Sequence, residues 1–115
     1  MRSPRQDQGR LWERSARMHL ERHGLALVEA NFTCRGGEID LVMRERDTLV
    51  FVEVRQRAGY QHGGAAASIT PDKIRRLVRA AQTYLLRFSR PPPCRFDVIT
   101  IDGDQLHWLR NVIEV

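Results

Sequence analysis

Long hydrophobic runs and clustered cysteines are both missing from this sequence of 115 residues. Because no run of about 18 apolar residues occurs, the chain is not expected to cross a membrane. Its polar first segment, residues 1–10, lacks the apolar core of a secretory signal. The two cysteines, Cys34 and Cys94, are far apart and lack the spacing of a zinc site. We therefore expect a cytoplasmic protein with reduced thiols and no membrane partner, although a disulfide between the two cysteines stays open.

The composition indicates one globular domain with a basic surface. Apolar residues make up 42% of the chain and charged residues 29%, as in typical globular proteins. The 19 Lys and Arg residues outnumber the 14 Asp and Glu residues, which gives a net charge of +5. Almost all of the cations are arginine, whose guanidinium group matches the geometry of phosphates. A nucleic acid is therefore the expected partner, although charge alone would also fit a solvated surface.

The apolar pattern predicts a single α/β domain that spans residues 1–115, with residues 1–8 as a flexible tail. A first helix is expected from Gln8 to His23, buried through Trp12, Ala16 and Leu20, with Leu11 and Met18 widening the stripe. Thr70 and Pro71 have the character of a helix start, so a second helix begins there. The remaining elements are short strands, expected at 25–29, 96–101 and 105–109, and a central hairpin within 37–57.

The central hairpin is the feature on which the functional argument depends. With a turn at Arg46 and Asp47, alternate residues sort into two faces, and a slip of one residue would destroy this sorting. One face is uniformly apolar and is formed by Ile39, Leu41, Met43, Val50, Val52 and Val54. The other face pairs Val42 with Phe51. After the hairpin, the glycine-rich segment 58–68 offers Tyr60 and His62 as candidate substrate contacts.

In this register the carboxylates of Asp40 and Glu53 lie opposite each other. Opposed side chains in a sheet are about 5 Å apart, where like charges destabilise the pairing. The two acids therefore need a proton, a cationic side chain or a metal ion between them. Arg55, on the same face as Glu53, could neutralise them and form the salt-bridged end of a sheet. Hard cations such as Mg²⁺ also bind oxygen ligands of this kind, so both interpretations are open.

The order of Asp40, twelve residues, Glu53, one residue and a cation resembles the PD-(D/E)XK nuclease signature. This short motif occurs by chance in many hairpins. Nearly the whole chain, however, is similar to the YraN-type uncharacterised bacterial family, which has a restriction-endonuclease-like fold. The matching pieces are Glu13, GEIDL at 37–41, LVFVEVR at 49–55, Thr70 with Lys73, RAAQTYL at 79–85, RFDVI at 95–99, and Arg110 with Asn111. The resemblance implies a small mixed sheet whose central hairpin is flanked by helices.

The resemblance also implies a candidate metal site for Mg²⁺ or Mn²⁺. Asp40 and Glu53 match the metal ligands, and the backbone carbonyl of Val54 is a further candidate ligand. Glu13 matches a helix glutamate that is often part of such sites. The sequence around Glu13 fits equally well an exposed carboxylate near a helix start. Arg55 stands at the position of the motif's lysine. Arginine can stabilise developing charge there, but it cannot act as a base.

The implied activity is metal-dependent hydrolysis of phosphodiester bonds by an endonuclease. Four cations, Arg35, Arg57, Lys73 and Arg76, are the candidate contacts to the nucleic-acid backbone. Analogy with small resolvases of similar fold suggests branched DNA as the substrate and a homodimer as the acting species. Two alternatives stay open, namely a catalytically silent nucleic-acid-binding module and a protein-interaction module of the same fold.

Overall fold

A five-stranded mixed sheet with one helix on each face organises the chain. The computed structural model describes residues 4–57 and 69–113, with side chains from Arg10 to Gln56 and from Ile69 to Ile113. The elements are α1 (Pro4–Arg22), β1 (Ala26–Cys34), β2 (Gly37–Glu45), β3 (Thr48–Arg57), α2 (Pro71–Leu85), β4 (Cys94–Asp102) and β5 (Gln105–Leu109). The predicted mixed α/β class and the central hairpin are therefore confirmed. Tyr60, His62 and the side chain of Arg57 lie outside the described residues.

The strands lie side by side in the order of the chain, β1-β2-β3-β4-β5. Three neighbouring pairs are antiparallel hairpins, whereas β3 and β4 are parallel. A parallel pair requires a crossover connection, and α2 lies within that connection. This topology brings the first turns of α2 towards the end of β3.

The register of the central hairpin is the predicted one. Leu41 pairs with Val52, and Val42 pairs with Phe51. The turn falls at Arg46, whose φ of 58° lies in the left-handed region, and at Asp47. Because the side-chain period of a strand is two residues, this register fixes which side chains reach each helix.

The prediction that Ile39 shares a face with Leu41 is wrong. Leu41 packs in the layer covered by α1, whereas Ile39 packs in the layer covered by α2. The alternation breaks at Asp40, between these two residues. Its cause lies on the neighbouring strand, where Asn31 has a φ of 55° between the pairs Ala30–Leu41 and Phe32–Ile39. The left-handed backbone of Asn31 interrupts the alternation of side chains between the two faces of β1. The paired strand β2 changes its facing at the same position.

Helix α1 differs from its prediction at its start and in the width of its buried stripe. It begins at Pro4, four residues before the predicted start at residue 8, because proline suits the first position of a helix. Leu11 is 58% exposed and Met18 is 43% exposed, so neither widens the buried stripe as predicted. Within the described residues, no helix is long and apolar enough to cross a membrane.

Helix α2 starts where the sequence predicts. Thr70 caps it, because its Oγ1 accepts a hydrogen bond from the Lys73 N–H at 3.2 Å. The helix backbone then rests directly on Gly37, the first residue of β2. A Cβ atom at Gly37 would overlap the carbonyl oxygen of Arg76, so only glycine permits this approach. The contact positions the first turns of α2 beside β2.

Strand β4 carries a fully buried carboxylate, Asp97, which holds the C-terminal segment. It accepts hydrogen bonds from Trp108 Nε1 at 2.9 Å, from the Asn111 N–H at 2.9 Å and from Arg95 Nε at 3.1 Å. Arg95 also contacts Glu45 at 2.7 Å. Buried charges require such partners, so Asp97 joins β4, β5 and the segment after β5. Strand β1 is also longer than predicted, since it continues to Cys34.

Candidate active site

Asp40 and Glu53 lie where the ladder between β2 and β3 ends. The last pair of that ladder is Leu41 with Val52. Beyond it, Oδ2 of Asp40 accepts a hydrogen bond from the backbone N–H of Val54 at 2.8 Å. A side chain thus replaces a backbone acceptor, and the two strands separate at the acids. This bond orients Asp40 through one carboxylate oxygen, and the Asp40 carboxyl also shares a hydrogen bond with the side chain of Glu53.

The two carboxyls are poorly stabilised as anions. Burial raises the pKa of Asp40, and the charge of Glu38 adds to this effect, while the Val54 N–H, Arg55 and a hydrogen bond with the Glu53 side chain oppose it. Burial, followed by the charge of Asp40, raises the pKa of Glu53 to about 7 although Arg55 and Lys73 lower it. The charge of Asp40 thus disfavours ionisation of Glu53, as expected for an opposed pair, and the hydrogen bond between the two carboxyls offsets part of that repulsion.

The ion pair of Arg55 with Glu53 neutralises the acids only in part. Arg55 Nη1 lies 3.5 Å from Glu53 Oε1, which is longer than a good charge-assisted hydrogen bond. Arg55 lowers the pKa of both carboxyls, yet burial keeps the pKa of Glu53 at about 7. A proton shared by the two carboxyls or a bound metal ion would supply the rest of the compensating charge.

A small cavity of about 70 Å³ adjoins Glu53 and is lined by Glu38, Glu53, Arg55, Lys73 and Arg76. The predicted phosphate contacts Lys73 and Arg76 are therefore brought together with the acids. Burial and the charge of Arg55 lower the pKa of Lys73. Anionic and cationic groups thus share one opening, as a site for a phosphate and a metal ion would require.

Glu13 reaches the same region from α1. Burial raises its pKa, and the charge of Asp40 raises it further, while a hydrogen bond with the Asn31 side chain and the charge of Arg10 lower it. Glu13 also lines a groove of about 630 Å³ between α1 and β1. Helix α1 therefore presents a third carboxylate near the acid pair, from the face of the sheet opposite α2.

The other predicted site residues are Arg35, Arg57 and Val54, and the side chain of Arg57 lies outside the described residues. Arg35 is exposed in the turn between β1 and β2 and is absent from the described lining of the cavity beside Glu53. Arg57 ends β3. Val54 takes part through its N–H, and its carbonyl stays a predicted ligand.

The acid pair fits a hard divalent cation. Among the residues that the structure describes, no group of three or more His, Cys, Asp or Glu could hold a metal ion. Mg²⁺ nevertheless uses one or two carboxylates and keeps several waters, so the number of acids at this position matches what such an ion uses. Because the pKa values of both carboxyls are raised, a cation at this position would have to displace a proton from the pair.

Two residues near the site were missed by the sequence analysis as contributors. Glu38 faces the cavity with Arg55 and raises the pKa of both acids; the hairpin register, which places it opposite Arg55, was the available signal. Asn31 hydrogen-bonds Glu13, and its left-handed backbone suits asparagine better than most residues. No local pattern connects Asn31 to α1.

Comparison with known proteins identifies relatives over almost the full chain. Residues 12–101 match the uncharacterised protein family UPF0102. A UPF0102 protein of Herminiimonas arsenicoxydans is 58% identical over 113 residues, which cover 98% of this chain and 91% of the relative. A UPF0102 protein of Cupriavidus taiwanensis is 57% identical over 111 residues, which cover 96% and 85%. One of Methylibium petroleiphilum is 57% identical over 109 residues, which cover 89% of each. These matches confirm the family resemblance seen in the motifs.

Proposed function

We propose that this chain, which belongs to the uncharacterised protein family UPF0102, is a metal-dependent nuclease that hydrolyses phosphodiester bonds in nucleic acid. One observation carries the proposal. Asp40 and Glu53 are held together at the opened end of β2 and β3, with Arg55 and Lys73 beside them. A nuclease of this kind must hold a cation and a phosphate at the same place, and these four side chains supply both charges.

Asp40 and Glu53, with the carbonyl of Val54 as a further candidate, would hold Mg²⁺ or Mn²⁺. When bound, the ion would lower the pKa of a water and offset charge on the scissile phosphate. The protein fixes the ligands beforehand. The Val54 N–H orients Asp40 through one oxygen, and Arg55 restrains Glu53. Such preorganisation avoids the cost of ordering the carboxylates during the reaction.

The cations of the cavity act on the phosphate. Arg55 stays protonated and stabilises negative charge as it develops. Lys73, the only lysine in the chain, lies beside Glu53 and Arg55 in the cavity. Its ammonium group can donate to a phosphate oxygen, which is the electrostatic part of the role of the lysine that Arg55 replaces. Arg76 extends the cationic surface along α2.

A cleavage assay tests this function. Labelled linear single-stranded, linear duplex and branched DNA are incubated with Mn²⁺ or Mg²⁺. We expect Asp40→Asn to reduce cleavage at least about 100-fold, because it removes a metal ligand. Asp47→Asn is the matched control, since Asp47 is exposed in the turn at the other end of the hairpin. Absence of metal-dependent cleavage with every substrate, including RNA, would refute the proposal.

A catalytically silent nucleic-acid-binding module is the second candidate. The arginine at position 55 and its ion pair with Glu53 favour it. Salt-sensitive binding that survives Asp40→Asn, with no cleavage by either protein, would identify this function. Neither binding nor cleavage, together with a stability gain in Asp40→Asn, would indicate a protein-interaction module. Faster cleavage by Arg55→Lys would place this side chain in the active site.

Branched DNA and a homodimer are proposals that rest on analogy with resolvases. A symmetric dimer would present two acid pairs to two strands of one junction. Sedimentation of the free protein and of its complex with a four-way junction tests this arrangement. A monomer in both measurements would exclude it and leave the cleavage proposal intact.

A further inference from the structure

The groove between α1 and β1 presents arginine side chains in a row. Arg10, Arg14 and Arg17 line it together with Met18 and Asn31. Residues three and four apart share one face of a helix, so these arginines project from α1 on the same side. All three are exposed. The groove therefore offers a stripe of positive charge beside an apolar side chain.

The groove adjoins the candidate active site, because its lining includes Leu41, the residue after Asp40, and Asn31, which lies beside Asp40 on the neighbouring strand. Glu13 is among its lining residues, and the charge of Asp40 raises the pKa of Glu13. Helix α1 covers one face of the sheet and α2 covers the other. The acids consequently lie between two cationic surfaces, with Lys73 and Arg76 on α2 and the arginine stripe on α1.

We propose that this groove binds a single-stranded segment of nucleic acid that continues from the phosphate at Asp40 and Glu53; the assignment rests on the proposed nuclease function and specifies its substrate. Arg10 and Arg17 are seven residues apart in sequence, about 10 Å along the helix axis. This length lets the arginines contact more than one phosphate of the same strand.

The apolar part of the groove favours a single strand over a duplex. Met18 is 43% exposed and lies among the arginines. A duplex hides its base faces and presents phosphates, whereas a single strand exposes bases that pack on apolar and aromatic surfaces. Two acids oppose the positive charge. Glu13 lies at the site end, and Glu21 pairs with Arg17 at 3.5 Å on the solvent side, so the stripe keeps a net positive charge.

Binding without divalent ions tests the inference. Fluorescence anisotropy with EDTA present compares a single-stranded homopyrimidine oligonucleotide with a blunt duplex of equal length. For Arg10→Gln/Arg14→Gln we expect the Kd of the single strand to rise about tenfold and the salt slope to fall by about 1.4. The control is Arg22→Gln/Arg90→Gln, which removes two exposed arginines that are not among the described lining residues. This control should change neither the Kd nor the salt slope of the single strand. The Kd of the duplex should change little in either double variant.

The variant Met18→Gln tests whether bases pack on Met18, separately from the contacts of phosphates with the arginines. The variant keeps every cation, so competition by inorganic polyphosphate should not change. Affinity for the single strand should fall about fivefold, because a base loses its apolar contact. A thermal melt of each variant checks that α1 keeps its packing.

The possible results decide the inference independently of catalysis. Unchanged single-strand binding by Arg10→Gln/Arg14→Gln would overturn it, even if Asp40→Asn abolishes cleavage. An equal loss on single strand and duplex would also overturn it, since the groove would then bind phosphates of any form. Selective loss on the single strand would support it, even if no cleavage is found and the nuclease proposal fails.

Discussion

The backbone N–H of Val54 donates to Oδ2 of Asp40 at 2.8 Å, just beyond the last backbone pair of β2 and β3. This bond replaces a ladder contact and opens the sheet at the acids. It also holds Asp40 in a fixed orientation, in which its carboxyl shares a hydrogen bond with the side chain of Glu53.

Lys73→Met should impair cleavage much more than Arg75→Met. Lys73 lies in the cavity beside Glu53, whereas Arg75 pairs with Asp72 at 3.0 Å on the exposed side of α2. Loss of one donor to a developing charge costs on the order of 100-fold in rate. Single-turnover cleavage rates measure the difference. Equal rates for the two variants would remove Lys73 from the site.

Glu53→Gln should stabilise the protein above pH 7 and lose this advantage as the pH falls. The folded state raises the pKa of Glu53 from 4.5 to about 7, so it binds this proton more tightly than the unfolded chain does. Stability from this group is therefore highest below about pH 4.5 and decreases up to about pH 7. Above that value the substitution should add about 1–3 kcal/mol to the free energy of unfolding.

Urea titrations of Glu53→Gln and of the unsubstituted protein over this pH range provide the measurement. Asp47→Asn, in the exposed turn, supplies a control in which one carboxyl is lost without relief of repulsion. A stability difference that does not vary with pH would contradict the raised pKa of Glu53.

Mn²⁺ should bind more tightly above pH 7 than below it. A carboxylate must lose its proton to bind a metal ion, and Glu53 keeps its proton up to a pKa of about 7. Calorimetry in two buffers of different ionisation enthalpy should therefore show proton release below that pH. Asp40→Asn should abolish the heat of binding. A heat independent of both pH and Asp40 would place the ion elsewhere.

Asp97→Asn should destabilise the fold without affecting the acids of the candidate site directly. Asp97 is fully buried and joins Arg95, Trp108 and Asn111. Without the charge of Asp97, Glu45 is the one acid left in the ion pairs described for Arg95. The free energy of unfolding should therefore fall by about 3 kcal/mol. A lower urea midpoint with an unchanged slope is the expected result. Asp104→Asn, in the exposed turn before β5, should have little effect.

The sequence predicted the register of the hairpin because two signals agreed, the period of two and the turn at Arg46. It predicted the start of α2 for a similar reason, since Thr70 and Pro71 act locally. The proximity of Asp40 to Glu53 followed from the register alone. These features depend on neighbours in the chain or on one pairing rule.

The features that the sequence did not predict depend on contacts between distant segments. The change of facing at Asp40 requires the left-handed Asn31 on the next strand and the N–H of Val54. The position of Lys73 beside Glu53 depends on the path of the crossover that contains α2. No periodicity in a single segment encodes such relationships.

The close approach of α2 to Gly37 fixes the spacing between α2 and β2 at the candidate site. The Arg76 carbonyl oxygen occupies the place that a Cβ atom at position 37 would take. The backbones of α2 and β2 are therefore in direct contact. Lys73, one turn earlier, is therefore spaced from the acids by contact between two backbones. A side chain at position 37 would therefore push α2 away from β2 and displace Lys73 from Glu53.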